Sequence, residues 1–97
     1  MFDPTYQQLI ESNFTPIRLK NESEYPQYMG FEQEDISIIA LCVTNDKYVI
    51  HAATNKYGRL YEQKEIDSQF KFDKMNSLSD LIKFLEKDRT KSQLNLN

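Results

Sequence analysis

Apolar residues along this chain follow two periods, and the change from one to the other marks out the elements. Tyr6, Leu9 and Ile10 recur at i, i+3 and i+4, which places them on one face of a short helix. Asp3 is a favoured N-cap and Pro4 a favoured first helical residue, and Asn13 is a suitable end. Ile17 and Leu19 then alternate with Arg18 and Lys20, so 14–20 reads as a half-buried strand. Pro16 has no N–H to give a neighbour, which puts that strand at a sheet edge.

Ile36–Val43 is apolar on both faces, with Ile36, Ile38, Ala40 and Cys42 pointing one way and Ile39, Leu41 and Val43 the other. Such a run predicts a central strand covered on both sides, by helices or by a partner chain. Thr44-Asn45-Asp46-Lys47 supplies turn residues, and Tyr48–Ala53 returns as the second arm of a hairpin. After a turn over 55–58, the segments 59–66 and 69–74 read as one bulged strand or two short ones, with Leu60, Tyr61, Phe70 and Phe72 as apolar members. A closing helix is well specified. Ser77 and Asp80 have capping-box spacing, and Leu78, Leu81, Ile82 and Leu85 form the i, i+3, i+4, i+7 stripe, widened by Phe84. Lys83, Lys87 and Arg89 bring positive charge to its C-terminal end, where the helix dipole favours it.

The expected fold is α+β: an N-terminal helix, an antiparallel meander of three to five strands, and a C-terminal helix packed on the sheet. Residues 1–89 form a single globular domain and 90–97 a flexible tail. At 97 residues the chain can bury a core without staples, and twelve aromatics supply much of its area.

One stretch resists both periods. Residues 21–35 hold five acids (Glu22, Glu24, Glu32, Glu34, Asp35), three aromatics (Tyr25, Tyr28, Phe31) and no base. It reads as a long loop, and loops of this length in small domains are commonly functional or disordered. Tyrosines give contact area at low entropic cost and carboxylates steer a cationic surface. These eight residues are therefore the candidate contact surface for another protein with a basic face, while a hydrated loop folded back on the sheet is the plainer alternative. Charge is uneven: residues 1–46 hold eight acids and two bases, a balance of −6, and residues 47–97 hold seven acids and ten bases, a balance of +3.

Catalytic chemistry is poorly supported. With one histidine and one cysteine, no zinc site can be built from those types alone. Gly30 and Gly58 are the only glycines, and no phosphate-cradling motif occurs. Cys42 lies inside an apolar run, where a thiol acts as a small hydrophobe. His51 sits between Ile50 and Ala52 in a strand, in a structural rather than a catalytic setting. The expectation is a non-enzymatic protein without cofactor or metal. The start Met1-Phe2-Asp3-Pro4 has neither the basic nor the apolar region of a signal peptide, and no run reaches the roughly 18 apolar residues of a membrane span, so a cytoplasmic location is expected.

A protein-binding inhibitor or regulatory adaptor, monomeric or homodimeric, fits these features best. The short acidic chain, its helix–meander order and its lack of a catalytic motif broadly resemble the anti-CRISPR proteins and other phage-encoded inhibitors, which implies mimicry of a nucleic-acid backbone. Ile17-Arg18-Leu19, His51 and the helix opening from Asn76 to Ile82 resemble, in order, landmarks of SH2 domains. That resemblance implies a phosphopeptide gripped by Arg18 and flanked by His51. A third alternative is nucleic-acid binding through a basic, aromatic sheet, in which Lys47, Lys56, Arg59, Lys64, Lys71 and Lys74 interleave with Tyr48, Tyr57, Tyr61, Phe70 and Phe72. Glu62, Glu65, Asp67 and Asp73 in the same segments cancel much of that attraction.

Overall fold

A computed structural model describes residues 2–17, 25–72 and 74–91. The element order is α1 (Tyr6–Glu11), β1 (Thr15–Ile17), β2 (Tyr28–Gln33), β3 (Ile36–Thr44), β4 (Lys47–Thr54), β5 (Leu60–Glu62), α2 (Gln63–Lys71) and α3 (Leu78–Lys87). The five strands form one antiparallel sheet in chain order, so β3 is central and β1, with Pro16, is an edge. The fold is α+β, with a short helix before the meander and two helices after it.

Helix α1 starts later than Asp3 and Pro4 suggest. Thr5 is the N-cap and closes a capping box with Gln8: the Gln8 amide donates to Thr5 Oγ1 at 3.2 Å and the Thr5 amide to Gln8 Oε1 at 2.9 Å. Pro4 is held outside the helix because its carbonyl accepts from the Tyr48 amide at 2.9 Å. The Asp46 carboxylate accepts from the Tyr6 amide at 2.8 Å, a negative charge on the helix N-terminus that ties α1 to the β3–β4 turn. Asn13 ends the helix region at φ 70°, a left-handed conformation that Asn tolerates well.

Two expectations about the middle of the chain are overturned. Tyr28–Gln33, assigned to a long loop, is strand β2, paired along its whole length with β3. Met29 and Phe31 alternate into the core there, a period of two that Tyr28 and Gly30 between them disguise. The segments 59–66 and 69–74 are neither one bulged strand nor two. Only Leu60–Glu62 is strand, and Gln63–Lys71 is helix α2, which buries Ile66 and Phe70 four residues apart. The Glu62 amide donates to Glu65 Oε1 at 3.1 Å and starts that helix. Its final residue Lys71 complements the dipole.

Helix α3 is capped by Ser77, whose Oγ accepts from the Asp80 amide at 3.2 Å. The Asp80 carboxylate reaches one residue further back than capping-box spacing implies and accepts from the Asn76 amide at 2.9 Å. All three helices send their buried side chains into one core. Leu9 from α1, Ile66 and Phe70 from α2, and Leu78, Leu81 and Leu85 from α3 join the inward residues of the strands. Thr90, read as the start of a tail, accepts at its carbonyl from Asn55 Nδ2 at 2.8 Å, and 92–97 lie outside the described residues. No helix among the described residues is long and apolar enough to cross a membrane.

Candidate functional site

The pleat of the sheet divides its strands cleanly. Ile36, Ile38 and Ala40 of β3 point into the core with Met29 and Phe31 of β2 and Tyr48, Ile50 and Ala53 of β4. Ile39, Leu41 and Val43 point the other way. Beside them, by register, stand Gly30 and Tyr28 of β2, Ala52 and Val49 of β4, and, further out, Ile17 of β1 and Leu60 of β5. None of this second set belongs to the core cluster. Val43 is 55% exposed, Leu60 57% and Ile17 38%. Of the covers expected for the central strand, helices or a partner chain, the described helices supply one face only; on the other, Val49 is buried, Ile39, Leu41 and Ala52 are half-buried, and the exposed apolar side chains are Val43, Ile17 and Leu60.

Two hollows indent the open face. The first, of about 350 Å³, lies over Gly30 and is bordered by Ile17, Ile39, Glu32, Ser37 and Thr15. It exists because Gly30 has no side chain; a Cβ there would meet Ile17 Cδ1 at 3.1 Å. The second, of about 530 Å³, lies beside β5 and is bordered by His51, Ala52, Leu60, Gln63 and Lys64. The register between β3 and β4 shifts between Ile39 and Ala40, which are paired with Ala52 and Ile50, so His51 is a bulged and exposed residue at the rim of that hollow.

The candidate contact residues divide as follows. Tyr28 and Glu32 stand on the open face, and Glu34 and Asp35 form the exposed β2–β3 turn at its end, with Glu34 at φ 55°. These three acids are thus brought together at one end of the sheet. Phe31 points inward, is only 3% exposed, and stacks obliquely on Phe14 at 5.4 Å, so it is withdrawn from any contact surface. Tyr25 is half-buried and edge-on to Tyr6 at 6.0 Å. Glu22 and Glu24 lie outside the described residues, as does Arg18.

At the same end of the sheet, the β4–β5 loop carries exposed Lys56 and Tyr57. Buried Asn55 shapes it: its Oδ1 accepts from the Tyr57 and Arg59 amides at 2.9 Å each, and its Nδ2 donates to the Asp88 and Thr90 carbonyls. Arg59 is committed to its own neighbourhood, bonded to Glu65 at 2.7 Å and lying 4.4 Å over the Tyr61 ring.

The basic, aromatic sheet proposed for nucleic acid is not formed as such. Tyr48, Tyr61 and Phe70 are buried core residues, and Lys64, Lys71, Phe70 and the intervening residues lie on α2 rather than on a strand. Among the described residues no group of three or more His, Cys, Asp or Glu side chains is placed to hold a metal. Sequence reasoning missed Ile17, Val43 and Leu60 as functional candidates. The signal for them was the two-faced apolarity of 36–43, which asks for a cover that the described helices do not supply. What fold and face define is a small α+β protein with all its described helices on one side of its sheet. No family model, curated protein or solved structure matches the chain.

Proposed function

We propose that this is a non-catalytic binding protein, an inhibitor or regulatory adaptor, that engages another polypeptide through the open face of its sheet. One observation carries the reading: the apolar row Ile39, Leu41 and Val43 along the central strand has no place in the core, while Ile17 and Leu60 flank it in solvent. Contiguous exposed apolar surface in a small protein marks interaction sites. Glu32, Glu34 and Asp35 close one end of that face and favour a partner with positive charge at its margin.

The test is capture by the tagged chain from its native cells. Val43→Lys places a charge at the β3–β4 end of the face without touching the core, and lowers capture by about tenfold or more. The triple change Glu32→Gln, Glu34→Gln, Asp35→Asn acts at the margin and weakens capture by a smaller factor, mostly at low salt. Capture unchanged in both variants would place the interface on another surface.

A further inference from the structure

Asn55 joins two segments more than thirty residues apart. Its Nδ2 donates to the Asp88 carbonyl at 3.1 Å and to the Thr90 carbonyl at 2.8 Å, which lays the chain leaving α3 against the β4–β5 loop. The surface so formed gathers exposed Lys56 from the loop with exposed Lys87, Arg89 and Lys91 from the end of α3 and the residues after it. Lys83, one turn back on α3, continues the row. Among the described residues no ion pair engages any of these five side chains; the paired guanidinium is that of Arg59, with Glu65. The acid within this stretch, Asp88, turns its carboxylate onto the Thr90 amide at 3.0 Å and the Thr90 hydroxyl at 2.7 Å, so it is spent locally. Exposed Glu86 on α3 and the acidic Glu34–Asp35 turn at the same end of the sheet mark the limits of the patch.

We infer that this patch, independent of the open face, binds the phosphate backbone of a single nucleic-acid strand and stacks one of its bases on Tyr57. That tyrosine follows Lys56 at the tip of the loop and is 41% exposed. Its backbone is held on every side. The Tyr57 and Arg59 amides donate to Asn55 Oδ1 at 2.9 Å each, the Gly58 amide donates to the Asn55 carbonyl at 3.1 Å, and Gly58 supplies φ 83°.

An exposed ring on a fixed loop among unpaired cations is the combination that holds single strands: cations track the backbone and the ring takes a base. A duplex keeps its base faces inside the stack, and an acidic polypeptide or a lipid headgroup offers the cations a charge but the ring no base. The ring therefore decides between these polyanions. Because the whole chain carries a net charge of −3, attraction is confined to the patch and is sensitive to salt.

Fluorescence anisotropy of a labelled oligothymidylate and, separately, an oligouridylate, each about twelve nucleotides long, tests the inference with the full chain. A dissociation constant on the order of 10–100 μM is expected at about 50 mM salt. With about three or four phosphates neutralised, log K falls against log salt with a slope of roughly −2 to −3. Lys56→Gln and Arg89→Gln each make that slope shallower by about 0.7, while Lys64→Gln on α2, outside the patch, leaves it unchanged. Tyr57→Ala weakens binding by about fivefold or more at an unchanged slope, because it removes stacking and no charge. These side chains are exposed, and circular dichroism with thermal melting confirms that the variants fold. Binding of either oligonucleotide with these dependences supports the inference, and the tighter one shows which sugar is preferred. No binding of either at millimolar chain overturns it. So does binding indifferent to Tyr57→Ala, or displacement by polyglutamate or phosphatidylserine vesicles at matched anion concentration, which would make the patch a general seat for anions. Val43→Lys, at the opposite end of β4, leaves the slope unchanged, so this surface and the open face stand or fall separately.

Discussion

Asn55 and Tyr48 are the two buried side chains whose polar atoms organise more of the molecule than their own segments. Asn55 is 0% exposed and makes four hydrogen bonds, two inside the β4–β5 loop and two to the chain that leaves α3. Its sequence context, a turn residue near Gly58, reveals the turn but not the link to residues 88–90, because that link joins positions more than thirty apart. Asn55→Ala leaves two amides and two carbonyls to find water in a closed site, and costs about 2–4 kcal/mol in urea unfolding. Tyr48 is also fully buried and donates from its hydroxyl to the Pro26 carbonyl at 2.6 Å. Burial pushes its phenol well above the ordinary value of 10.0, with the nearby Cys42 and Asp46 adding in the same direction. The native state thus holds this proton where the unfolded chain releases it. Stability from this group is complete below pH 10.0 and declines as pH rises beyond it. Tyr48→Phe costs about 1–2 kcal/mol at neutral pH through the orphaned carbonyl, and its alkaline decline is shallower than that of the wild type. Melting temperatures of both proteins between neutral pH and pH 11 provide the comparison.

Elements whose pattern is repeated and strongly apolar were legible in the sequence: the β3–β4 hairpin from the run 36–43 and its return, and α3 from the stripe of Leu78, Leu81 and Leu85. Those carried by two or three inward residues were not. Helix α2 buries only Ile66 and Phe70 of its nine residues, and the preceding Leu60 and Tyr61 continue an alternation that belongs to β5, so the period changes without punctuation. Strand β2 was hidden by acids that belong to its turn and its open face. The start of α2 depends on Glu65, whose carboxylate both accepts from the Glu62 amide and holds Arg59 at 2.7 Å. Glu65→Ala removes both contacts. The ion pair is half exposed on the acid's side and contributes little, so the loss is mainly that of the cap, about 1–2 kcal/mol, whereas Glu65→Gln keeps the cap and loses about half as much. Chemical denaturation of the two variants separates the cap from the charge.

At the scale of the whole molecule, the arrangement is a sheet with all its described helical cover on one side, and that imbalance was half legible. The two apolar faces of 36–43 asked for two covers, but the sequence offers no way to see that α1, α2 and α3 all converge on the same one, because connection lengths do not fix which side of a sheet a helix crosses. If a partner polypeptide supplies the missing cover, folding and binding are linked, and the melting temperature rises with the partner's concentration. Above its dissociation constant, each tenfold rise in that partner's concentration adds about 1.4 kcal/mol, which for a domain near 100 residues raises the midpoint by roughly 6–10 °C. Val43→Lys lies at the β3–β4 end of the face and outside the core, so its melting temperature is unmoved by the partner and meets that of the wild type alone. Calorimetric scans at three partner concentrations show the difference directly. Parallel melting of the two proteins at every partner concentration would mean that the partner does not bind this face.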